Sequence, residues 1–164
     1  MTRRTDAAAV RLDSLDLGHL ALFVGMRVND LVLEELHAAG FTGLRQAHGY
    51  VFQHLLGGAR SIGELAGLLE VTQQAASKTV AELEKLGYVE EAGSDDARVR
   101  RVRLSARGQA AVERSRSLRA ELEKRFERLQ GRRALEDARK LLGEVLESLG
   151  GAEAVRTRRI RSPR

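Results

Sequence analysis

The chain has 164 residues, enough for one domain with extensions, and a hydrophobic content of 43% excludes wholesale disorder. It holds no cysteine, which removes disulfides, thiolate metal sites, cysteine nucleophiles and thiol redox sensing together. A formal charge of +5, from 28 Lys and Arg against 23 Asp and Glu, is modest, so the placement of the cations matters more than their number: a basic face points to a polyanion, and a mixed solvated surface is the plain alternative.

Residues 1–12 are small, basic and aperiodic and read as a flexible N-terminal arm. From about Leu15 to Ala39 the pattern is helical, and Gly40 ends it. Two apolar stripes run along this helix, Leu17, Leu20, Val24, Val28 and Leu31 on one side and Leu15, Leu22, Phe23, Met26 and Leu33 on the other. One stripe suffices for a helix lying on a globule; two require a deep interior or a second subunit. A shorter helix, Leu44 to Leu56, closes at Gly57-Gly58. No apolar run approaches the ~20 residues of a membrane span. The N-terminal segment has no continuous apolar stretch of the secretory kind, so no membrane partner and a cytoplasmic location are expected.

The next segment predicts a helix-turn-helix. Ser61 and Glu64 have the spacing of a capping box, Ile62, Leu65, Ala66 and Leu69 form one buried stripe, and Glu70-Val71 makes the turn. Thr72 then caps a second helix that ends at Gly87. At about 100° per residue, Ala76, Thr79, Val80 and Leu83 face inward. Gln74, Ser77, Lys78, Ala81 and Lys85 face outward. Gln73 and Gln74 suit adenine edges, Ser77 donates or accepts, Lys78 reaches guanine or phosphate, and the small Ala75 and Ala81 let the backbone approach closely. An ordinary solvated helix would also carry Gln and Lys; the neighbouring segments decide between the two.

Tyr88 to Ala92 and Val99 to Leu104 read as two strands joined by a Gly-Ser-Asp-Asp-Ala loop. The second strand region holds Arg98, Arg100, Arg101 and Arg103, with Val102 and Leu104 alternating against Arg101 and Arg103. One face then packs inward while the other presents guanidinium groups. Arg98 lies nearest the turn and suits a narrow minor groove, with Asp96 placed to orient it. The competing reading is an edge strand defended by charge. Ser105 caps a long helix to about Gln130, Gly131 interrupts it, and a last helix from about Ala134 to Leu149 carries Leu135, Ala138, Leu142, Val145 and Leu149 at heptad spacing. The seam is too short for a free coiled coil but long enough to pack on another helix. The last ten residues hold five arginines and read, with the rest of 151–164, as a basic disordered tail.

Catalysis and cofactors find no support. His48 and His54 point about 120° apart on one helix, poor for chelating one metal, and no zinc, calcium or phosphate-loop pattern occurs. The expectation is no catalytic residue, no metal and no cofactor.

From Ser61 to Gly108 the sequence resembles the MarR family of winged helix-turn-helix regulators. The first motif helix is carried by Ser61-Ile62-Gly63-Glu64-Leu65-Ala66, the end of the recognition helix by Val80 to Val89, and the wing by Asp96-Ala97-Arg98, Val102-Arg103-Leu104-Ser105 and Gly108. One departure is Glu70, where relatives often have glycine; a second is the absence of a proline before the wing aspartates. The resemblance implies a mainly α fold with a small antiparallel β wing: an N-terminal dimerisation helix (13–40), a winged helix-turn-helix lobe (41–104) and C-terminal dimerisation helices (105–150). It also implies a homodimer on a pseudo-palindromic double-stranded operator, acting as a repressor. On that reading the DNA contacts are Thr72, Gln73, Gln74, Ser77, Lys78, Arg98, Arg100, Arg101 and Arg103. Regulators of this kind often bind a small anionic or aromatic effector between the dimer helices and the lobe, for which Phe23, Met26, Arg27, His48 and Phe52 are the candidates; plain core with a solvated Arg27 is the alternative. Two rival functions stay open: a protein-interaction module that has lost DNA binding, and an architectural protein coating DNA without sequence preference.

Overall fold

The computed structural model describes residues 10–93 and 99–156. A short 3-10 turn, Leu12–Ser14, leads into α1 (Leu17–Ala38), whose first turn is capped by Asp16 through a hydrogen bond from the His19 N–H. Then come α2 (Gln46–Leu55), β1 (Arg60–Ser61), α3 (Ile62–Leu69), α4 (Gln73–Lys85), β2 (Val89–Ala92) and β3 (Arg101–Leu104). Three helices finish the chain: α5 (Ala106–Gln130), α6 (Arg132–Ser148) and α7 (Ala152–Arg156). The fold is mainly helical with a three-stranded antiparallel sheet in the order β1-β3-β2.

Local chemistry sets the boundaries. At α3 the capping box closes reciprocally, the Glu64 N–H donating to Ser61 Oγ at 3.2 Å and the Ser61 N–H to the Glu64 carboxylate at 2.7 Å. Thr72 caps α4 by accepting from the Ala75 N–H at 3.2 Å. Between these helices Glu70 takes a left-handed conformation (φ 54°, ψ 41°), the conformation expected of the glycine it replaces. Ser105 caps α5 and also donates its hydroxyl to the Gly87 carbonyl at 2.6 Å, tying the end of the recognition segment to the start of the long helix. Gly108 sits where these elements cross: a Cβ there would fall 2.1 Å from the Tyr88 carbonyl oxygen.

The core lies inside the lobe. Leu65, Val80, Leu83, Val51, Tyr88 and Val102 are almost wholly buried and join α2, α3, α4 and the sheet into one cluster, which extends to Val32 and Leu36 of α1 and to Ala111, Val112 and Leu118 of α5. Tyr88 closes it, donating its hydroxyl to the Thr42 carbonyl at 2.8 Å. The Arg107 guanidinium packs 4.8 Å from the Tyr88 ring centroid and donates to the Gly40 carbonyl, fastening the end of α1 to the lobe. In contrast, α1 buries only Val32 and Leu36, and α6 buries no residue.

The structure adds two elements to the sequence reading. β1 pairs Arg60 with Val102 and Ser61 with Arg101, converting the expected hairpin into a three-stranded sheet. α7 lies within the segment read as a disordered tail: Ala154 is buried, and Arg156 reaches back to Glu147 of α6. α6 begins at Arg132, immediately after Gly131 (φ 87°), two residues before the expected Ala134.

Candidate nucleic-acid interface

Helix α4 buries Ala76, Val80 and Leu83 against α3 and the sheet, with Thr79 half-buried beside them. This anchoring leaves Gln74, Ser77, Lys78, Ala81 and Lys85 exposed on the opposite side, with Gln73 exposed at the first turn on the α3 side. The Gln73 amide leans back over the first turn of α3, 3.1 Å from where a Cβ on Gly63 would stand. The Thr72 hydroxyl is occupied as the cap, so Thr72 meets a ligand through what its cap leaves over.

The strand pair behind α4 presents arginines, each already engaged with an acid of the same protomer. In β3, Val102 and Leu104 are buried while Arg103 is exposed and Arg101 half-buried. Arg103 donates to Glu90 across the β2–β3 ladder at 2.9 Å. Arg100, just before β3, donates to Glu84 of α4 at 2.5 Å and lies 3.7 Å from Glu91. Arg101 turns the other way: it donates to the Ala59 carbonyl at 2.8 Å and stands 3.4 Å from the Glu64 carboxylate. Hydrogen bonds from Ser61 chiefly, then the charges of Arg101 and Arg60, hold the Glu64 carboxyl below its ordinary range. Arg101 thus fastens the wing to α3, a structural duty that the alternation of residues did not reveal. Arg98, with Asp95 and Asp96, lies outside the described residues.

The five residues expected to form an effector site are not brought together. Phe23, Met26 and Arg27 lie on the exposed side of α1, Phe23 being 54% exposed, and Arg27 donates to Glu34 at 2.8 Å. The reason is helical phase: the side of α1 that meets the lobe is the one carrying Val32 and Leu36. His48 and Phe52 do line a cavity of about 280 Å³ between α1, α2 and α5. Its apolar lining includes Leu33, Leu36, Leu44, Phe52, Ala111 and Val112, and its charged lining is Arg45, Arg116 and Arg119, with no carboxylate. These three arginines escaped the sequence reading because Arg116 and Arg119 fall in a densely mixed-charge helix and Arg45 stands alone at the start of the short helix read from Leu44.

His48 is 1% exposed; its Nδ1 accepts from the Arg45 N–H at 3.2 Å, and its Nε2 stands 3.2 Å from the Arg45 guanidinium and 3.7 Å from the Glu82 carboxylate. Burial first, then the Arg45 charge, pushes the imidazole below its ordinary pKa, with Glu82 opposing. The Arg45 guanidinium itself donates to Glu82 of α4.

Among the described residues no group of three His, Cys, Asp or Glu converges as a metal site, and no helix is long and apolar enough to cross a membrane. The combination of a capped two-helix motif, an exposed second helix and an arginine-bearing sheet edge defines a winged helix-turn-helix protein. Residues 42–99, from the turn before α2 to the wing, match the model of the MarR family. No curated protein matches the sequence. Solved structures share the fold. The reduced form of MarR from E. coli is 24% identical, with a TM-score of 0.64 over 80% of this chain and 97% of that one. A mutant MepR from S. aureus is 16% identical, with a TM-score of 0.66 over 82% and 99%. A second MepR mutant, bound to an oligodeoxyribonucleotide, is 21% identical, with a TM-score of 0.58 over 82% and 99%.

Proposed function

We propose that the protein is a homodimeric, sequence-specific DNA-binding transcription regulator of the cytoplasm, a repressor rather than an enzyme, released from its operator by a small anionic or aromatic effector. The observation that carries this reading is the exposed Gln73, Gln74, Ser77 and Lys78 face of α4 standing beside the arginines of β3. The helix has the dimensions for a major groove, and the sheet edge supplies cations for the flanking phosphates. The MarR-family match and the similarity to a MepR mutant held on an oligodeoxyribonucleotide support it.

The dimer rests on apolar surface that one protomer leaves in water. Leu22, Phe23, Val24 and Met26 of α1 and Leu141, Leu142 and Leu146 of α6 are exposed, together with Leu149 just beyond α6, which is 78% exposed. Exposed apolar rows of this kind on two helices are unusual on a monomer, and a second copy would cover them without any further partner. The effector rests on the cavity, where an apolar floor beneath three guanidinium groups suits a carboxylate with a hydrophobic body.

Fluorescence anisotropy of the full chain on random duplexes tests the DNA-binding claim. The expected result is binding at low salt whose logarithm falls linearly with the logarithm of salt concentration. Absence of binding at low salt contradicts the proposal and favours a protein-interaction module on this fold.

A further inference from the structure

We propose that Arg45 couples the cavity to the recognition helix: an anion entering the cavity takes the Arg45 guanidinium from Glu82 and loosens the hold of α2 on α4. This inference rests on the regulator reading above and assigns its regulation to one ion pair.

Arg45 stands at two places at once. It lines the cavity between α1, α2 and α5, and its guanidinium donates to Glu82 on the inner flank of α4. Its backbone N–H is also fixed, donating to the buried His48 ring, so the residue cannot move without disturbing the first turn of α2. Glu82 lies one residue before Leu83, a core anchor of α4 with no exposure, so the pair joins α2 to the seating of the recognition helix. The two partners are placed for exchange. The Arg45 side chain is 62% exposed and that of Glu82 35%, so the pair is wet enough to break, unlike a buried bridge.

The other cavity cations are differently committed. Arg119 donates to Asn29 of α1 at 2.6 Å, and Arg116 lies 3.6 Å from Glu113, so neither reaches α4. A carboxylate docked among the three arginines meets one guanidinium whose present partner belongs to the recognition helix. Once Arg45 turns to the anion, Glu82 keeps only the His48 ring, whose Nε2 lies 3.7 Å away in the present geometry. The helix then keeps its apolar contacts and the Arg100–Glu84 pair to the wing but loses its polar tie to α2, and its docking angle relaxes. Glu82 touches neither the cavity nor DNA in this account; it is a positioning residue.

The test uses the full-length dimer, a duplex recovered by selection, and 4-fluorobenzoate as the probe, with 4-fluorobenzyl alcohol as its uncharged counterpart. Binding of the probe is read by fluorine NMR and DNA affinity by anisotropy. In the wild type the benzoate weakens DNA binding roughly five- to tenfold, within the usual range of coupling between sites, and the alcohol does not. In Glu82→Gln, the benzoate still binds within about twofold, DNA affinity without ligand already sits near the wild-type liganded level, and the benzoate changes it no further. Arg45→Ala, checked for a wild-type thermal melt, loses both benzoate binding and the response. A benzoate response in Glu82→Gln equal to that of the wild type overturns the proposal, as does a wild type that binds DNA but ignores the benzoate. A wild type that binds no DNA sinks the regulator reading itself, a separate and recognisable outcome.

Discussion

Glu70 carries strain that its neighbours impose. The turn between α3 and α4 needs a left-handed residue, and Glu70 supplies it at φ 54°, whereas a side chain in that region costs about 1 kcal/mol that glycine does not incur. Glu70→Gly should therefore raise stability by no more than about 0.5 kcal/mol after glycine's greater unfolded-state freedom is subtracted, read as a slightly higher urea midpoint at unchanged slope. Gly108 is the opposite case. Its missing Cβ leaves room for the Tyr88 carbonyl, and a methyl at 2.1 Å forces α5 and the β2 entry apart. Gly108→Ala should cost about 1–3 kcal/mol by the same assay. His48 gives the pH dependence. Its folded pKa lies below the ordinary 6.5, through burial and the Arg45 charge, so the unfolded ring takes up a proton first. The stability contributed by the neutral buried ring is complete above pH 6.5 and is lost as the pH falls from there through the folded pKa. The loss of stability between pH 7.5 and 5.5 should be shallower in His48→Gln than in the wild type, measured as the difference in chemical-denaturation midpoints.

At the scale of elements, the proposed function assigns sequence preference to α4 and affinity to the sheet edge. Gln74 lies on the exposed side of α4 and can pair with a base edge; Gln74→Ala should lower preference for the selected site by about 1–3 kcal/mol while leaving random-duplex binding alone. Arg103 is exposed on β3 and bonded to Glu90, so Arg103→Ala should weaken every duplex alike and flatten the salt dependence by about one unit. Parallel salt titrations on matched and scrambled duplexes check both, and identical behaviour of the two variants contradicts the division. The helices and the burial pattern of α4 were legible in the sequence because caps and 3.6-residue periodicity are local properties. β1 was not, because two residues such as Arg60-Ser61 have no alternation to read and acquire strand geometry only by pairing with Arg101 and Val102. The roles of Arg45 and Arg101 were hidden for the same reason: the partners that define them, Glu82 and Ala59, lie 37 and 42 residues away. The phase of α1 was misread as well. Its two stripes are real, but only contact with α5 and the lobe shows which side stays uncovered, and Phe23, Met26 and Arg27 fall there rather than in the cavity.

For the whole molecule, the lobe holds nearly all of the core while α1 and α6 expose apolar rows. That asymmetry is what the proposed homodimer would explain, a second copy covering the exposed rows. Leu142 is 41% exposed and contributes little to its own protomer, so Leu142→Asp should leave the lobe folded yet shift sedimentation from dimer to monomer; an unchanged dimer places the interface elsewhere. On the proposed reading, joining the lobes would make the two α4 faces a twofold reader of duplex DNA. Selection of binding sites from random duplexes by the full chain measures that directly. The account predicts an inverted repeat whose half-sites are centred about 34 Å apart, one helical turn of DNA. A pool that binds but converges on no repeat contradicts it.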